Sequence, residues 1–174
     1  ISPDLSTLLV GSYRTACGGL DAVPNFDTAF NALGEAVDIL DSTCPDVEQR
    51  AVIAEGILAS TVWGSWGEFA QEMAMSEPVG GVAVQVAFCY LDTPLEVCLE
   101  RIRKRQEAAG KVRDIKTELV ADKVRAIAAT REKAIAAGML VYDLPWKSAE
   151  TALDAIIRDR DWTATPGTLP IKSR

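Results

Sequence analysis

Arg101 and Arg105 stand four residues apart in "LDTPLEVCLERIRKR" (91–105), so on a helix their guanidiniums share one face, away from Cys98 and Ile102. A guanidinium keeps its charge and forks onto two oxygens of one phosphate. Two on one face make an anion clamp, and Arg125 and Arg131 further along could add to it. Residues 101–133 carry eleven basic and five acidic side chains, a local excess of +6 in a chain of net charge −7. Residues 1–100 carry fifteen acids against two basic side chains, Arg14 and Arg50. A positive segment on an acidic body points to a local anion site more than to a general nucleic-acid coat. A solvated, charge-rich helix pair would look the same, and composition alone favours that plainer reading.

The chain has no histidine. Ser-His-Asp triads, Cys-His dyads and histidine metal sites are therefore excluded. Acid–base work falls to carboxylates, Lys, Tyr or Cys. The four cysteines, Cys17, Cys44, Cys89 and Cys98, show no paired metal-type spacing, which fits a reducing, cytoplasmic chain without structural zinc. Cys89 and Cys98 sit in apolar patterns and are expected inside.

The elements that must position these groups alternate. Short apolar runs at 6–13, 50–57, 81–92 and 139–144 read as strands. Helical spacing runs over 26–41, 60–74, from Pro94 through Ile102, over 116–137 and over 148–160. Pro94 suits a first helical turn, with Asp92 or Thr93 as its cap. Gly138 suits a helix C-terminus. At 174 residues, 48% apolar and 25% charged, the chain reads as one globular α/β domain with a mostly parallel sheet under helices. No apolar run reaches the roughly 20 residues that span a bilayer, and no signal-like leader opens the chain. In such folds ligands sit beyond the carboxyl ends of the strands. That directs attention to Tyr13, Arg14, Glu55, Asp92 and Asp143.

"LDTPLEVCLERIRKR" resembles the strand–helix–lid segment of P-loop small-molecule and polynucleotide kinases, thymidylate kinase-like enzymes among them. "GSYRTACGGLD" with "VIAEGILASTVWG" resembles phage kinases of this superfamily, including those that phosphorylate 5-hydroxymethyluracil in DNA. The resemblance spans most of residues 8–146. It implies a three-layer P-loop kinase-like α/β fold, a single domain over 1–174 with a helical lid at about 103–133. ATP and Mg²⁺ are then the implied cofactors, a nucleotide or DNA the acceptor, and the host cytoplasm the setting. It implies no membrane and leaves a homodimer open.

By the same resemblance Arg101 and Arg105, with Arg131, would hold ATP phosphates, since phosphoryl transfer depends on positioning and charge stabilisation. Tyr13, Arg14 and Thr15 match an acceptor loop, with Arg14 on an acceptor phosphate. The Asp that precedes the Tyr-Arg pair in polynucleotide kinases is replaced by Gly11 and Ser12, so the general base falls to Asp21 or Glu55. Glu55, at a strand end, could hold a Mg²⁺-bound water, accept a hydroxyl proton or cap the next helix. Trp63 and Trp66, three apart in "WGSWGEF", share a helical face that could stack a base, though packing on the sheet is favoured.

No G-x-x-x-x-G-K-[ST] occurs in the 174 residues. The expectation is that the strand and phosphate loop carrying it precede Ile1. A degenerate kinase fold turned binding module is the competing account, a nucleoside monophosphate kinase the runner-up enzyme, and a purely structural α/β domain the third. The acidic first hundred residues weigh against a long duplex footprint, which needs several phosphate contacts, whereas a short or flipped-out acceptor needs fewer.

Overall fold

In the computed structural model the described residues are 5–12, 19–47, 49–75, 84–111 and 113–158. Four strands and six helices alternate: β1 (Leu5–Val10), α1 (Phe26–Thr43), β2 (Gln49–Ala54), α2 (Ile57–Thr61), α3 (Trp63–Met75), β3 (Ala87–Leu91), α4 (Leu95–Ala108), α5 (Thr117–Ala136), β4 (Leu140–Leu144) and α6 (Ala149–Arg158). A 3-10 turn, Gly19–Ala22, precedes α1. Among the described residues all the strand pairing is parallel. β1 runs beside β2 with Val10 opposite Ala54, and β3 beside β4 with Leu91 opposite Leu144. The expected mixed α/β class holds, but among the described residues the strands form two separate two-stranded ladders rather than one sheet. β3 also departs from expectation. It is shorter than 81–92, of which 81–83 lie outside the described residues, and it alternates. Tyr90 is buried while Cys89 and Leu91 face outward, because successive strand residues point to opposite faces.

Local chemistry explains the helix ends. Asn25 caps α1, its Oδ1 accepting from the Thr28 backbone N–H and from Thr28 Oγ1, both at 2.9 Å. The predicted 60–74 helix is two helices, α2 and α3, interrupted at Val62. Gly138 adopts a left-handed φ of 74° just past α5 and donates back to Ile135 O at 2.9 Å, as expected. Asp92 and Thr93 do not cap α4. Pro94 stands at the N-cap position without a side-chain bond, because Asp92 is engaged elsewhere.

The core is divided with the strands. One cluster joins Val10, Leu20, Ala29, Ala36 and Trp66, with Phe26, Phe30 and Phe69 packed on it. A second joins Ala70, Tyr90, Ala134, Met139 and Val141, with Trp63, Phe88 and Ile127 alongside. A third seats Ile156 of α6 on Tyr142 and Leu144. Trp63 and Trp66, expected on one face, therefore serve different clusters: Trp63 tilts on Phe88 at 5.7 Å, and Trp66 meets Phe30 edge-on at 4.9 Å. No described helix is long and apolar enough to cross a membrane.

Gly67 makes this arrangement possible, since a Cβ there would lie 2.5 Å from Trp63 Cε2. At an open helix position Gly→Ala gains about 1 kcal/mol. Here overpacking costs about 1–3 kcal/mol and reverses the sign. Gly67→Ala should lower the urea midpoint; a raised midpoint would show that the Trp63 ring yields freely.

Candidate active site

Parallel registry brings loop pairs together at the strand ends. At the β1–β2 end the Ser12 N–H donates to Gly19 O at 3.1 Å, and the Leu20 N–H donates to Glu55 O at 2.7 Å. Gly19 has φ of 69°, and a Cβ on it would lie 2.4 Å from Glu55 O and 2.7 Å from Glu55 Cγ. Only glycine fits there, both for the left-handed backbone and for the close approach. Asp21 Oδ2 accepts the Ile57 N–H at 3.0 Å, tying the 3-10 turn to the start of α2. Capping the next helix was one of the roles open to Glu55 in the sequence, and Asp21 takes that bond instead. Glu55 itself is exposed at the end of β2.

At the β3–β4 end the Asp92 N–H donates to Leu144 O at 3.1 Å, and Asp92 Oδ1 accepts the Trp146 N–H at 2.7 Å. The loop after β4 is thereby fastened to the loop after β3. Trp146 lies under the clamp predicted from sequence: Arg101 Cζ is 5.1 Å from its ring centroid, and Lys147 Nζ is 5.4 Å from it. Cation–π contact orients a guanidinium while leaving its N–H donors unpaired. Arg105, one turn on, is exposed and makes no ion pair among the described residues. Sequence reasoning missed Trp146, although its position two residues beyond Leu144, in "YDLPW", was a readable signal.

The arginines of α5 are differently placed. Arg131 binds Asp143 through Nε at 2.7 Å and Nη2 at 2.5 Å, and its Nη1 reaches Glu132 at 2.7 Å. Its pKa is raised chiefly by the Asp143 hydrogen bonds. Three of its donor groups are thus already taken by carboxylates. Arg125 pairs with Glu118 at 2.9 Å and with Asp122. The structure therefore sets Arg101 beside Trp146 and ties Arg131 to the end of β4. Trp63 packs on Phe88 in the second cluster. Tyr13, Arg14 and Thr15 lie outside the described residues. Buried Tyr90, whose hydroxyl has no partner among the described residues, is pushed up to about 12 by burial and stays a neutral phenol at working pH.

Mg²⁺ is usually held by one or two carboxylates together with waters and substrate phosphates. Glu55 and Asp21 are hard oxygen donors suited to that sparse role. No group of three or more carboxylate or thiol ligands occurs among the described residues.

Two anchored loop pairs thus stand at the strand ends of an α/β fold, one beside Arg101 and one beside Asp21 and Glu55. The curated proteins this chain resembles narrow the class. A "5-hmdU DNA kinase" of Pseudomonas phage M6 is 38% identical over 151 residues, covering 87% of this chain and 72% of that protein. A "5-hmdU DNA kinase" of Pseudomonas phage PaMx11 is 25% identical, covering 86% and 69% respectively. One of Bacillus phage SP10 is 27% identical over 82% of this chain, but the match spans only 20% of that protein. The chain belongs to the phage 5-hmdU DNA kinase family. No family model matches it. No solved structure matches either.

The two arginine settings predict opposite responses. Asp143→Ala strands the Arg131 guanidinium, whose side chain is only 25% exposed, and should cost about 1–2 kcal/mol in urea unfolding. Arg125→Ala removes a solvent-exposed pair and should leave the midpoint nearly unmoved. Equal shifts in the two variants would contradict this division.

Proposed function

We propose that this phosphotransferase moves the γ-phosphoryl group of ATP to the hydroxymethyl oxygen of 5-hydroxymethyluracil in DNA. The observation that carries the reading is the 38% identity, over most of this chain, to a phage protein named for that activity. The geometry supports it at the strand ends, where ligands of parallel α/β folds bind. The finer reading is a P-loop kinase-like arrangement in which α4 and α5 form the lid.

On this reading Arg101, braced on Trp146, and Arg105 bind the phosphates and offset charge as it shifts toward the leaving group. Arg131 serves them indirectly by fixing the end of β4 through Asp143. Tyr13, Arg14 and Thr15 hold the acceptor strand. As the substrate oxygen bonds to the γ-phosphorus, the bridging β–γ oxygen–phosphorus bond breaks and ADP leaves with that electron pair. The hydroxyl proton passes to Glu55, the exposed carboxylate beside the 3-10 turn. Asp21, already bound to the Ile57 amide, positions that turn. Mg²⁺ held with Glu55 would neutralise phosphate charge in the usual way. No residue of the 174 is assigned to a γ-phosphate cradle.

The test gives full-length protein labelled ATP and Mg²⁺ with three acceptors: DNA containing 5-hydroxymethyluracil, ordinary DNA with a 5′-hydroxyl, and thymidylate. Label in the modified DNA alone is expected. Label in thymidylate would move the protein to the nucleotide kinases, and ATP binding without transfer would make it a binding module. Arg101→Gln with Arg105→Gln should reduce turnover by roughly 10²-fold, the loss of one to two charge-assisted hydrogen bonds, at nearly unchanged melting temperature. Unchanged turnover would remove the clamp role.

A further inference from the structure

We propose that the cavity between the 3-10 turn, the start of α1 and α3 is the seat of the flipped-out pyrimidine ring. The proposal rests on the reading of the acceptor as a modified uracil. The cavity holds about 300 Å³, and its walls include Leu20, Val23, Asn25, Phe26, Ala29 and Trp66. That volume is at the lower end of the range for small-ligand sites, and the pattern is theirs too: apolar walls with few polar groups. Its aromatic walls are rigid. Phe26 meets Trp66 edge-on at 6.2 Å, and Trp66 is braced behind by Phe30 and Phe69.

The polar chemistry selects the ring. Asn25 spends its carbonyl on the α1 cap, accepting twice from Thr28. Those bonds settle which way the amide faces, so the group left to a ligand is the NH₂, a donor. Trp66 is 6% exposed, and its indole Nε1–H is buried with no acceptor among the described residues. It is closed off from the cavity, so Trp66 offers a ligand the apolar part of its ring rather than a donor. Uracil offers carbonyl acceptors on an otherwise flat ring, and the Asn25 NH₂ at the cavity wall can donate to one of them. Cytosine replaces one carbonyl with an amino donor, which an Asn25 amide fixed in this sense cannot accept.

The cavity also shares Leu20 with the backbone link to Glu55. Leu20 forms one wall, and its own N–H donates to Glu55 O at 2.7 Å. Gly19, the residue before it, lies against the Glu55 side chain. A hydroxymethyl group leaving the ring past Leu20 is directed toward Glu55. A base must leave its helical stack to reach such a pocket, and single-stranded acceptors avoid much of that cost.

The experiment measures binding and phosphate transfer with a short single-stranded oligonucleotide carrying one 5-hydroxymethyluracil, using full-length protein. Val23→Phe fills the cavity. Asn25→Asp keeps the helix cap, since Asp caps as well as Asn, but replaces the donor amide with an acceptor. Each variant should bind the oligonucleotide at least about tenfold more weakly, with ATP KM unchanged. Asn25→Asp should also keep its melting temperature, and should shift preference toward a 5-hydroxymethylcytosine oligonucleotide, whose exocyclic amine donates. Wild-type affinity in both variants overturns the subsite, as does wild-type protein that binds an abasic oligonucleotide equally well. Wild-type protein that binds the modified strand but transfers no phosphate instead refutes the acceptor reading, and the binding results still decide the subsite.

Discussion

Parallel pairing is the constraint on which the rest of this molecule depends. A parallel ladder cannot be closed by a tight turn, so each strand must be followed by a crossover long enough to return the chain. In both ladders the register sets the last residues level, Val10 with Ala54 and Leu91 with Leu144. The loops leaving those ends are forced into contact. Four polar links at the candidate site are a consequence: Leu20 to Glu55, Asp21 to Ile57, Asp92 to Leu144 and to Trp146. The carboxylates and arginines come from distant stretches of chain, yet the ladders deliver them in two compact groups.

Charge is then sorted by what each side chain can reach. The basic excess of residues 101–133 looks uniform in the sequence, but the fold divides it. Arg125 and Arg131 stand one to twelve residues from their carboxylate partners, and they are tied down. Arg101 instead meets an aromatic face, which holds the side chain while sparing its hydrogen-bonding edge. A guanidinium bound to carboxylates has already found its anions; one resting on an indole has not.

Much of this was legible in advance, and the failures are physical. The alternation of apolar runs and helical spacing gave the strand and helix order, because burial on one face imposes its period on any sequence. The Glu55 strand end and the Arg101–Arg105 face were also readable. The split of the strands into two ladders was not, since pairing partners leave no trace in local pattern. Asp92 looked like a cap because Asp before Thr-Pro usually is one. It turned instead to Trp146, which is 54 residues away and near only through the β3–β4 register. The tryptophan pair was misjudged for a similar reason: residues three apart on a helix still point about 60° apart around its axis, enough for one ring to enter each of two cores.

That last arrangement has a mechanical meaning. Trp66 walls the cavity beside the 3-10 turn, while Trp63, less than one turn earlier, rests on Phe88 of β3, the strand that ends at Leu91, just before Asp92. Asp92 in turn holds the loop whose indole carries Arg101. A single turn of α3 thus joins the two cores, a stiff spacer of covalent backbone set among close-packed rings.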